Sequence, residues 1–395
     1  MTLWSQWFRG LQDAGRARAP ETKASRGAAL LALASAGQPV WTPRDYAALA
    51  REGYQGNAIV YRVVRMIAEA AASVPWLYFD GRRERPDHPL GHLLRAPNPL
   101  EGGADLLEQL YGFLLVSGNA YAEAVRVDGI VQEIYALRPD RMTLVPGAKG
   151  WPIAYEYMVE GRKIRYAVSD DEKPILHVRL FHPLNDHYGF SPMEAAAAAI
   201  DVHNAAMGWN KALLDNGARP SGALVYHGPP GVSLTADQFE RLKSELEDSF
   251  QGSANAGRPL LLEGGLDWKA LSVTPRDMDF IEAKAAAARD IALAFGVPPV
   301  LIGLPGDSTY SNYSEANRVF WRQCVLPLAQ RMAANMARWL GPDFEAVPTI
   351  TLDLDAIAAL SEEREALWRR VGAADFLSRD EKRAATGYGD GGEEG

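Results

Sequence analysis

The order of apolar and polar positions predicts helices and short strands in turn along the first half of the chain. Asn57 is a suitable N-cap, and the apolar residues after it keep helical spacing until Ser73-Val74-Pro75 ends the run. A strand over residues 76–79 should follow, and then a helix over about residues 104–116. The first half therefore mixes the two periodicities of helix and strand.

Two hairpins are predicted from paired turn residues between β-prone runs. Asp128-Gly129 separates residues 120–127 from 130–135, and Glu160-Gly161 separates residues 153–159 from 163–168. Both central positions of such a turn need a positive φ, which these residue pairs tolerate. With a further strand at residues 175–180, residues 41–188 form one α+β module.

The residue pattern of the next segment predicts a long helix, a small insert and a second helix. Ser191-Pro192-Met193-Glu194 combines an N-cap, a first-turn proline and a capping box, and the helical pattern continues to Asn216-Gly217. That is about 25 residues, or roughly 37 Å, which is long for a compact module. Residues 221–271 then predict a strand at 223–226, a helix opened by Thr235-Ala236-Asp237-Gln238 and a strand at 259–262. Thr274-Pro275-Arg276-Asp277 starts an alanine-rich helix.

In the last part of the chain, the residue pattern predicts a polar loop between two long helices. The segment from Phe295 through Pro299 ends the alanine-rich helix, and an uncharged polar run follows at residues 308–313. A helix over about 314–340 should bend near residues 323–327, because Pro327 removes one backbone hydrogen bond. A strand at 349–354 should return to the first module, and a short helical end over 360–386 should precede a loose tail at 387–395.

Several motifs in this order resemble phage portal proteins of the HK97 type, including those of gene transfer agents. The match covers roughly residues 46–389, and its stretches are Asn57-Ala58-Ile59-Val60-Tyr61, Ala72-Ser73-Val74-Pro75-Trp76, His88-Pro89-Leu90, Pro97-Asn98-Pro99, Val116-Ser117-Gly118-Asn119-Ala120-Tyr121, Leu137-Arg138-Pro139-Asp140-Arg141-Met142, Gly189-Phe190-Ser191-Pro192, and the block from Gly296-Val297-Pro298-Pro299 to Asn317. Each motif alone is weak evidence for the family, but the order of all of them together makes the match specific.

The resemblance implies an α+β portal fold with named parts. These are a flexible N-terminal arm (1–40), an α/β wing (41–188), stem helices (189–219 and 274–299), a small α/β clip (220–273), a tunnel loop (300–313), a kinked helix with a return strand (314–354) and a short helical crown with its tail (355–395). A plain disordered tail is the alternative for residues 1–40.

The resemblance also implies a function and partners. About twelve subunits would close into a homo-oligomeric ring at one capsid vertex of a virion or gene transfer agent particle assembled in a bacterial cytoplasm. Double-stranded DNA would pass through it, large terminase and later a head-tail adaptor protein would dock on the clip, and major capsid protein would surround it. The residues given roles are the tunnel loop Ser308, Thr309, Tyr310, Ser311, Asn312 and Tyr313, the stem lining Asp279, Glu282, Ala286 and Arg289, and the clip contacts Glu240, Lys243, Glu245 and Glu247.

Charge and cysteine content narrow the possibilities further. The net charge of −9 argues against a DNA clamp, which needs basic patches. A conduit of the kind that the resemblance implies must let DNA slide, which a negative wall permits, but mild acidity for solubility explains the same charge, and charge alone does not separate the two. Cys324 is the only cysteine, so no intrachain disulfide is expected, and we interpret it as a small buried apolar residue. The apolar run at 28–33 is short for a signal peptide, and no run has the length of a membrane span.

The motifs that could bind a phosphate, bind a metal or supply a nucleophile leave one alternative function. No phosphate-binding loop of the P-loop type occurs, and the glycine pattern at 387–392 has no helix to receive a phosphate. His177, His182 and His187 are spaced by five residues, which suits neither a helix face nor a strand face as a metal site. We therefore expect no enzyme activity, cofactor, metal site or membrane partner. The alternative is a monomeric or dimeric α+β hydrolase built on Ser191 and a nearby histidine.

Overall fold

The fold is taken from a computed structural model that describes residues 41–148, 150–169, 173–215, 222–226, 235, 237–238, 240–241, 244, 266–270, 280–304, 310–344 and 347–389. Residues 1–40, the predicted arm, lie outside this range, as does the predicted strand at 259–262. Every element below lies within residues 42–389.

More of the described residues lie in helices than in strands. They are α1 (Ala58–Ala72), α2 (Pro89–Arg95), α3 (Gly103–Ser117), α4 (Pro192–Asp215), α5 (Phe280–Ala294), α6 (Tyr310–Val319), α7 (Leu326–Leu340), α8 (Ser361–Gly372) and α9 (Arg379–Thr386). A short turn at Tyr46–Ala48 leads into a π-helix at Leu49–Gln55, and a second π-helix, Phe320–Val325, joins α6 to α7. Short 3₁₀ turns lie at Pro139–Arg141, Pro299–Ile302, Gly341–Asp343 and Ala358–Leu360. Among these described helices, none has the length and apolar character needed to cross a bilayer.

The strands pair in antiparallel order within small sheets. They are β1 (Trp76–Asp80), β2 (Arg83–Glu84), β3 (Asn119–Val127), β4 (Ile130–Leu137), β5 (Met142–Pro146), β6 (Pro152–Val159), β7 (Arg162–Ala167), β8 (Ile175–Arg179), β9 (Gly222–Tyr226), β10 (Leu266–Ala270) and β11 (Thr349–Leu352). The sheet orders are β11-β1-β2, β4-β3-β8, β5-β6-β7 and β10-β9. The predicted return of the 349–354 strand to the first module is confirmed, because Trp76 of β1 is paired with Leu352 of β11.

Both predicted hairpins are confirmed. Asp128 and Gly129 have φ values of 52° and 80°, and Glu160 and Gly161 have values of 48° and 78°. These positive angles match the twist of the flanking strands β3–β4 and β6–β7. The strand β5 and the helix α2 were not predicted, since neither carries a hairpin dipeptide or a long periodic pattern.

A single large core joins the first module to the later helices. The fully buried side chains of α1 and α3, such as Ile67 and Leu110, belong to the same cluster as Ile291 of α5 and Met332 of α7. A smaller core lies around Tyr121, Tyr155 and neighbouring residues of β3, β5, β6 and β8. The buried surface that holds α5 and α7 in place is therefore continuous with the first module.

The carboxylate of Asp355 binds three side chains of the C-terminal segment. It accepts hydrogen bonds from Arg364 Nε at 2.5 Å, Tyr388 Oη at 2.6 Å and Trp368 Nε1 at 3.3 Å. Because Gly389 O also accepts from Arg383 Nε at 2.7 Å, residues 387–389 are fixed in place. The loose tail at 387–395 stays a prediction, and residues 390–395 lie outside the described range.

Replacing Asp355 with asparagine should release the C-terminal helices more easily. The hydrogen bond from Arg364, with those from Tyr388 and Trp368, holds the pKa of Asp355 at about 2, below its ordinary value. A lowered pKa contributes stability that is present above about pH 4 and is lost as the pH falls to about 2. After allowance for solvent screening we expect a loss of about 1–2 kcal/mol at neutral pH.

Limited proteolysis of α8 and α9 between pH 7 and pH 2 measures this effect. The parent should become sensitive as the pH falls below 4, whereas Asp355→Asn should be sensitive already at neutral pH. The exposed neighbour Asp375→Asn is the control and should behave as the parent. Equal protection of Asp355→Asn and the parent at pH 7 would show that the carboxylate does not hold these helices.

Candidate functional site

The segment predicted as the tunnel loop starts from a fixed end of α5. Gly296 N donates to Leu293 O at 3.0 Å and Val297 N donates to Ala292 O at 2.9 Å, while Gly296 has a φ of 72°. This pattern closes a helix with a left-handed residue. Phe295 and Val297 on either side are buried, so the chain leaves α5 in one defined direction.

A proline-led turn carries the chain onward from that point. Pro299–Ile302 forms a 3₁₀ helix, Gly303 adopts a φ of 76°, and Leu304 N donates to Pro299 O at 3.3 Å. Residues 305–309, between Leu304 and Tyr310, are outside the described range. The predicted loop residues Ser308 and Thr309 lie outside the described residues.

The other four predicted loop residues are helical. Tyr310, Ser311, Asn312 and Tyr313 form the first turn of α6, so the helix begins four residues before the predicted start at 314. The loop was predicted from polarity, but this run has no glycine or proline, and its residues are compatible with a helix. Asn312 and Tyr313 are exposed, with Tyr313 51% exposed, so its ring is accessible at the start of the helix.

Ion pairs connect α6 to α8. Arg318 lies 2.5 Å from Glu315 and 3.4 Å from Glu362, and Arg322 lies 3.4 Å from Glu363. Each pair is partly exposed and contributes little stability, but together they place α6 beside α8. This link between distant parts of the chain has no local sequence signal.

The helix changes type just before Pro327, while the predicted bend near residues 323–327 stays a prediction. Phe320–Val325 is π-helical, and Pro327 occupies the first turn of α7, where a missing backbone N–H is tolerated. Phe320 and Val325 are buried in the large core. Cys324 Sγ donates to Phe295 O at 3.3 Å, and burial raises the pKa of this thiol to about 12. The thiol therefore joins the π-helix to the end of α5 and is not a reactive nucleophile.

The two helices predicted as the stem pack side by side, α4 against α5. The buried face of α5 carries Ala287, Ala288, Ile291 and Ala292, and these small residues allow a close approach. Its other face carries Glu282, Ala286 and Arg289, all exposed, with Leu293 77% exposed on the same stripe. Three of the four predicted lining residues thus share one accessible helix face. The fourth, Asp279, lies outside the described residues.

Polar contacts hold α4 against the first module. Asn57 caps α1 through its side-chain oxygen, and its amide nitrogen donates to Asn204 Oδ1 at 2.8 Å and lies 3.1 Å from His203 Nδ1. Burial and the nearby Lys284 lower the pKa of His203. A second contact runs from Thr42 N to Asp201 at 2.9 Å. The middle of α4 is therefore fixed to the first module.

The start of α4 is fixed by a junction that the sequence did not reveal. Two of the motifs that carried the family resemblance meet here, because Leu180 N donates to Gly118 O at 2.8 Å and Gly189 N donates to Asn119 Oδ1 at 2.8 Å. His177 Nε2 lies 3.1 Å from the same Asn119 oxygen, and its ring stacks on Tyr121 with centroids 4.3 Å apart. Burial lowers the pKa of His177 to about 3, so the ring is neutral and structural.

The geometry disfavours the hydrolase alternative. Ser191 is fully buried, and its Oγ accepts from Glu194 N at 2.9 Å in the predicted capping box. A nucleophile needs an accessible oxygen beside a general base. Within the described ranges no three His, Cys, Asp or Glu side chains form a possible metal site. The hydroxyl of Ser191 therefore serves to start α4.

The predicted clip is described only in part. The capping box at Thr235 is confirmed, since Gln238 N donates to Thr235 Oγ1 at 3.3 Å and Thr235 N donates to Gln238 Oε1 at 3.0 Å. Of the predicted partner contacts, Glu240 is exposed, whereas Lys243, Glu245 and Glu247 lie outside the described residues. A strand not predicted from the sequence, β10, is paired with β9.

Comparison with known proteins gives matching results for sequence and fold. The family model described as phage portal protein matches residues 58–387. A chain in the neck of an empty gene transfer agent (GTA) particle, computed with C6 symmetry, is 54% identical and has a TM-score of 0.70, with 90% of this chain and 96% of that chain covered. A chain in the neck of a native GTA particle, computed with C12 symmetry, is 53% identical with a TM-score of 0.67, covering 90% and 97% respectively.

A phage relative extends the match beyond gene transfer agents. The portal protein of Enterobacteria phage HK97 is 28% identical over 298 residues, which cover 72% of this chain and 66% of the phage protein. The matched residues, 58–387, include α1 through α9, and thus the junction at Gly189, the exposed face of α5 and the start of α6. The α+β architecture is the portal fold, and the chain belongs to the phage portal protein family.

Proposed function

We propose that this chain is the subunit of a ring of about twelve copies that forms a conduit for double-stranded DNA at one vertex of a gene transfer agent or phage capsid. The observation that carries the proposal is the 53% identity over 90% of the chain to a chain in a GTA neck computed with C12 symmetry. At that identity the fold and its mode of assembly are expected to be shared. DNA passes through the ring during packaging and again during ejection.

The described structure supports a conduit in two ways. The exposed stripe of Glu282, Ala286 and Arg289 runs along a helix held rigidly against α4, and uncharged Asn312 and Tyr313 begin the next helix. Each chain has a net charge of −9, so about twelve copies carry roughly a hundred negative charges. Repulsion from these charges limits how strongly the ring retains DNA phosphates. The ring therefore guides DNA without binding it tightly.

Partner contacts follow from the same proposal. Large terminase, and later a head-tail adaptor protein, would dock on the clip around Glu240, Lys243, Glu245 and Glu247, and major capsid protein would surround the ring at the vertex. Terminase would supply the ATP hydrolysis for packaging, since this chain contains no P-loop sequence. The chain itself acts as a structural protein.

Imaging of the purified chain tests the proposal directly. Mass photometry should show a particle of about twelve chain masses, and electron microscopy should show end-on rings with a central hole. A crosslinked sample is the control for rings that dissociate on dilution. A monomer at all salt and protein concentrations, together with absence of the chain from purified DNA-filled particles, would contradict the proposal.

A further inference from the structure

The turn between α8 and α9 holds an aromatic side chain out in solvent. Phe376 is 87% exposed, and the residue before it is Asp375. Ala374 N donates to Val371 O at 3.2 Å, and Leu377 N donates to Ala374 O at 3.3 Å. Hydrogen bonds therefore fix the chain on both sides of Asp375 and Phe376, which we call the turn tip. Because the tip is already ordered, covering its aromatic side chain would remove apolar surface from water at little cost in chain entropy.

A groove with an apolar floor lies beside this turn, between α8 and α9. Its volume is about 480 Å³, and Trp368, Val371 and Leu377 contribute the apolar side chains. Trp368 remains 49% exposed although its ring lies 5.8 Å from that of Tyr388. Phe376 does not line the groove, so the turn tip and the groove are two separate surfaces of one chain.

The charges of the turn tip and the groove are complementary. Lys382 and Arg383 line the groove, where Lys382 Nζ donates to Gly372 O at 3.1 Å and Arg383 Nε donates to Gly389 O at 2.7 Å. Among the described residues, neither cation forms an ion pair with a carboxylate, and Asp375 forms none with a cation. The tip thus has an uncompensated negative charge beside its aromatic side chain, and the groove has uncompensated positive charges beside its apolar floor.

The groove chemistry favours a peptide over nucleic acid as the occupant. Residues 361–386, which include both helices, carry as many acidic as basic residues, so the region has no net charge to attract a polyanion. An apolar floor with an exposed indole also favours an aromatic or aliphatic side chain as its partner, which a phosphate backbone does not supply. The turn tip supplies an aromatic side chain and a carboxylate together.

The symmetry of a ring would bring these two surfaces to the same level. Rotation about the ring axis leaves every atom at its own height, so residues 361–386 of neighbouring subunits share one level of the assembly. A head-to-tail contact joins two different surfaces, one from each neighbour. The turn tip and the groove meet this requirement, because they are separate and carry complementary chemistry.

We propose that the turn tip of one subunit binds in the groove of the next subunit, with Phe376 against Trp368 and Asp375 paired to Lys382 and Arg383. The inference rests on the proposed ring and identifies one contact between its neighbours. In the isolated chain the carboxylate of Asp375 has no ion pair to lose. Its replacement should therefore leave α8 and α9 as stable as in the parent and should weaken only the contact between subunits.

Crosslinking within purified rings of the full chain tests this contact. In Asp375→Cys/Lys382→Cys, a short bismaleimide should join each subunit to the next and give a ladder of covalent oligomers up to the complete ring on a denaturing gel. Asp375→Cys alone and Lys382→Cys alone are the controls and should give no ladder. The native Cys324 should not react, because burial raises the pKa of its thiol to about 12.

Dilution of the rings gives a second measurement. Phe376→Ala should dissociate at a protein concentration at least about tenfold higher than the parent, as counted by mass photometry, because it removes the aromatic anchor. Phe376→Met keeps the apolar volume and should dissociate close to the parent concentration. The exchanged pair Asp375→Lys/Lys382→Asp should hold rings together better than either single reversal. Thermal unfolding of each monomer should match the parent.

The possible failures have different meanings. Rings that form but give no ladder would overturn the contact and leave the proposed ring in place, as would unchanged dissociation of Phe376→Ala. A ladder that stops at dimers would also overturn the contact, because it would show a symmetric pairing instead of a head-to-tail one. Absence of rings in the parent would overturn the proposed function and this contact together.

Discussion

Replacing Gly189 with alanine is expected to destabilise the chain by about 3 kcal/mol or more. An added Cβ would overlap the carbonyl oxygen of Gly118 and would lie 2.7 Å from Leu180 N. Both obstacles are backbone atoms, so no side chain can move aside to relieve them. Gly118 itself has a φ of 74° and cannot easily shift, because it ends α3 through a hydrogen bond to Leu114 O at 2.9 Å.

The consequence should extend to assembly. The Gly118–Gly189 junction fixes the start of α4, whose other contacts place α5 and its exposed face. We expect Gly189→Ala to lower the urea midpoint of the monomer and to reduce the yield of rings. The matched control is Gly112→Ala within α3, where a Cβ would meet nothing within 4 Å and should stabilise the helix by about 0.5–1 kcal/mol. Equal stability of Gly189→Ala and the parent would show that the two backbones are not in contact.

Elements defined by neighbouring residues could be predicted from the sequence. The turns at Asp128-Gly129 and Glu160-Gly161 and the capping box at Ser191 all have the predicted geometry. In each, the interacting groups are at most three residues apart, so the motif contains its own partner. The order of these motifs also indicated the family correctly.

Contacts between distant segments could not be predicted in this way. Nothing in the residues around Gly118 indicates that Gly189 will meet them, and the pairing of Arg318 with Glu362 depends on how α6 and α8 pack. The start of α6 was misjudged because polarity was taken as a loop signal without a helix-breaking residue to support it. Of the predicted site, the exposed face of α5 is seen in the structure, whereas its position in a channel remains a prediction.

Tyr313 offers a test of the proposed DNA conduit. It is half exposed in the first turn of α6, and Arg318 and Arg322 place that helix beside α8 through their ion pairs. If uncharged residues at this point let DNA slide, a positive charge here should retain it. In the proposed assembly of about twelve subunits, replacing Tyr313 with lysine would place about twelve added cations at one level of the conduit, each able to contact a phosphate.

We therefore expect Tyr313→Lys to lower DNA delivery at least about tenfold, with rings and particles formed in normal number. The matched control, Tyr313→Gln, removes the same aromatic side chain without adding charge. Its particles should deliver DNA close to the parent level. DNA content per particle and transfer to recipient cells, normalised to particle count, provide the two measurements. Because phosphate contacts weaken with salt, packaging by purified components should recover as ionic strength rises for Tyr313→Lys alone. Delivery by Tyr313→Lys particles equal to the parent would remove Tyr313 from the DNA path, whereas equal loss in both variants would show that the aromatic ring matters and the charge does not.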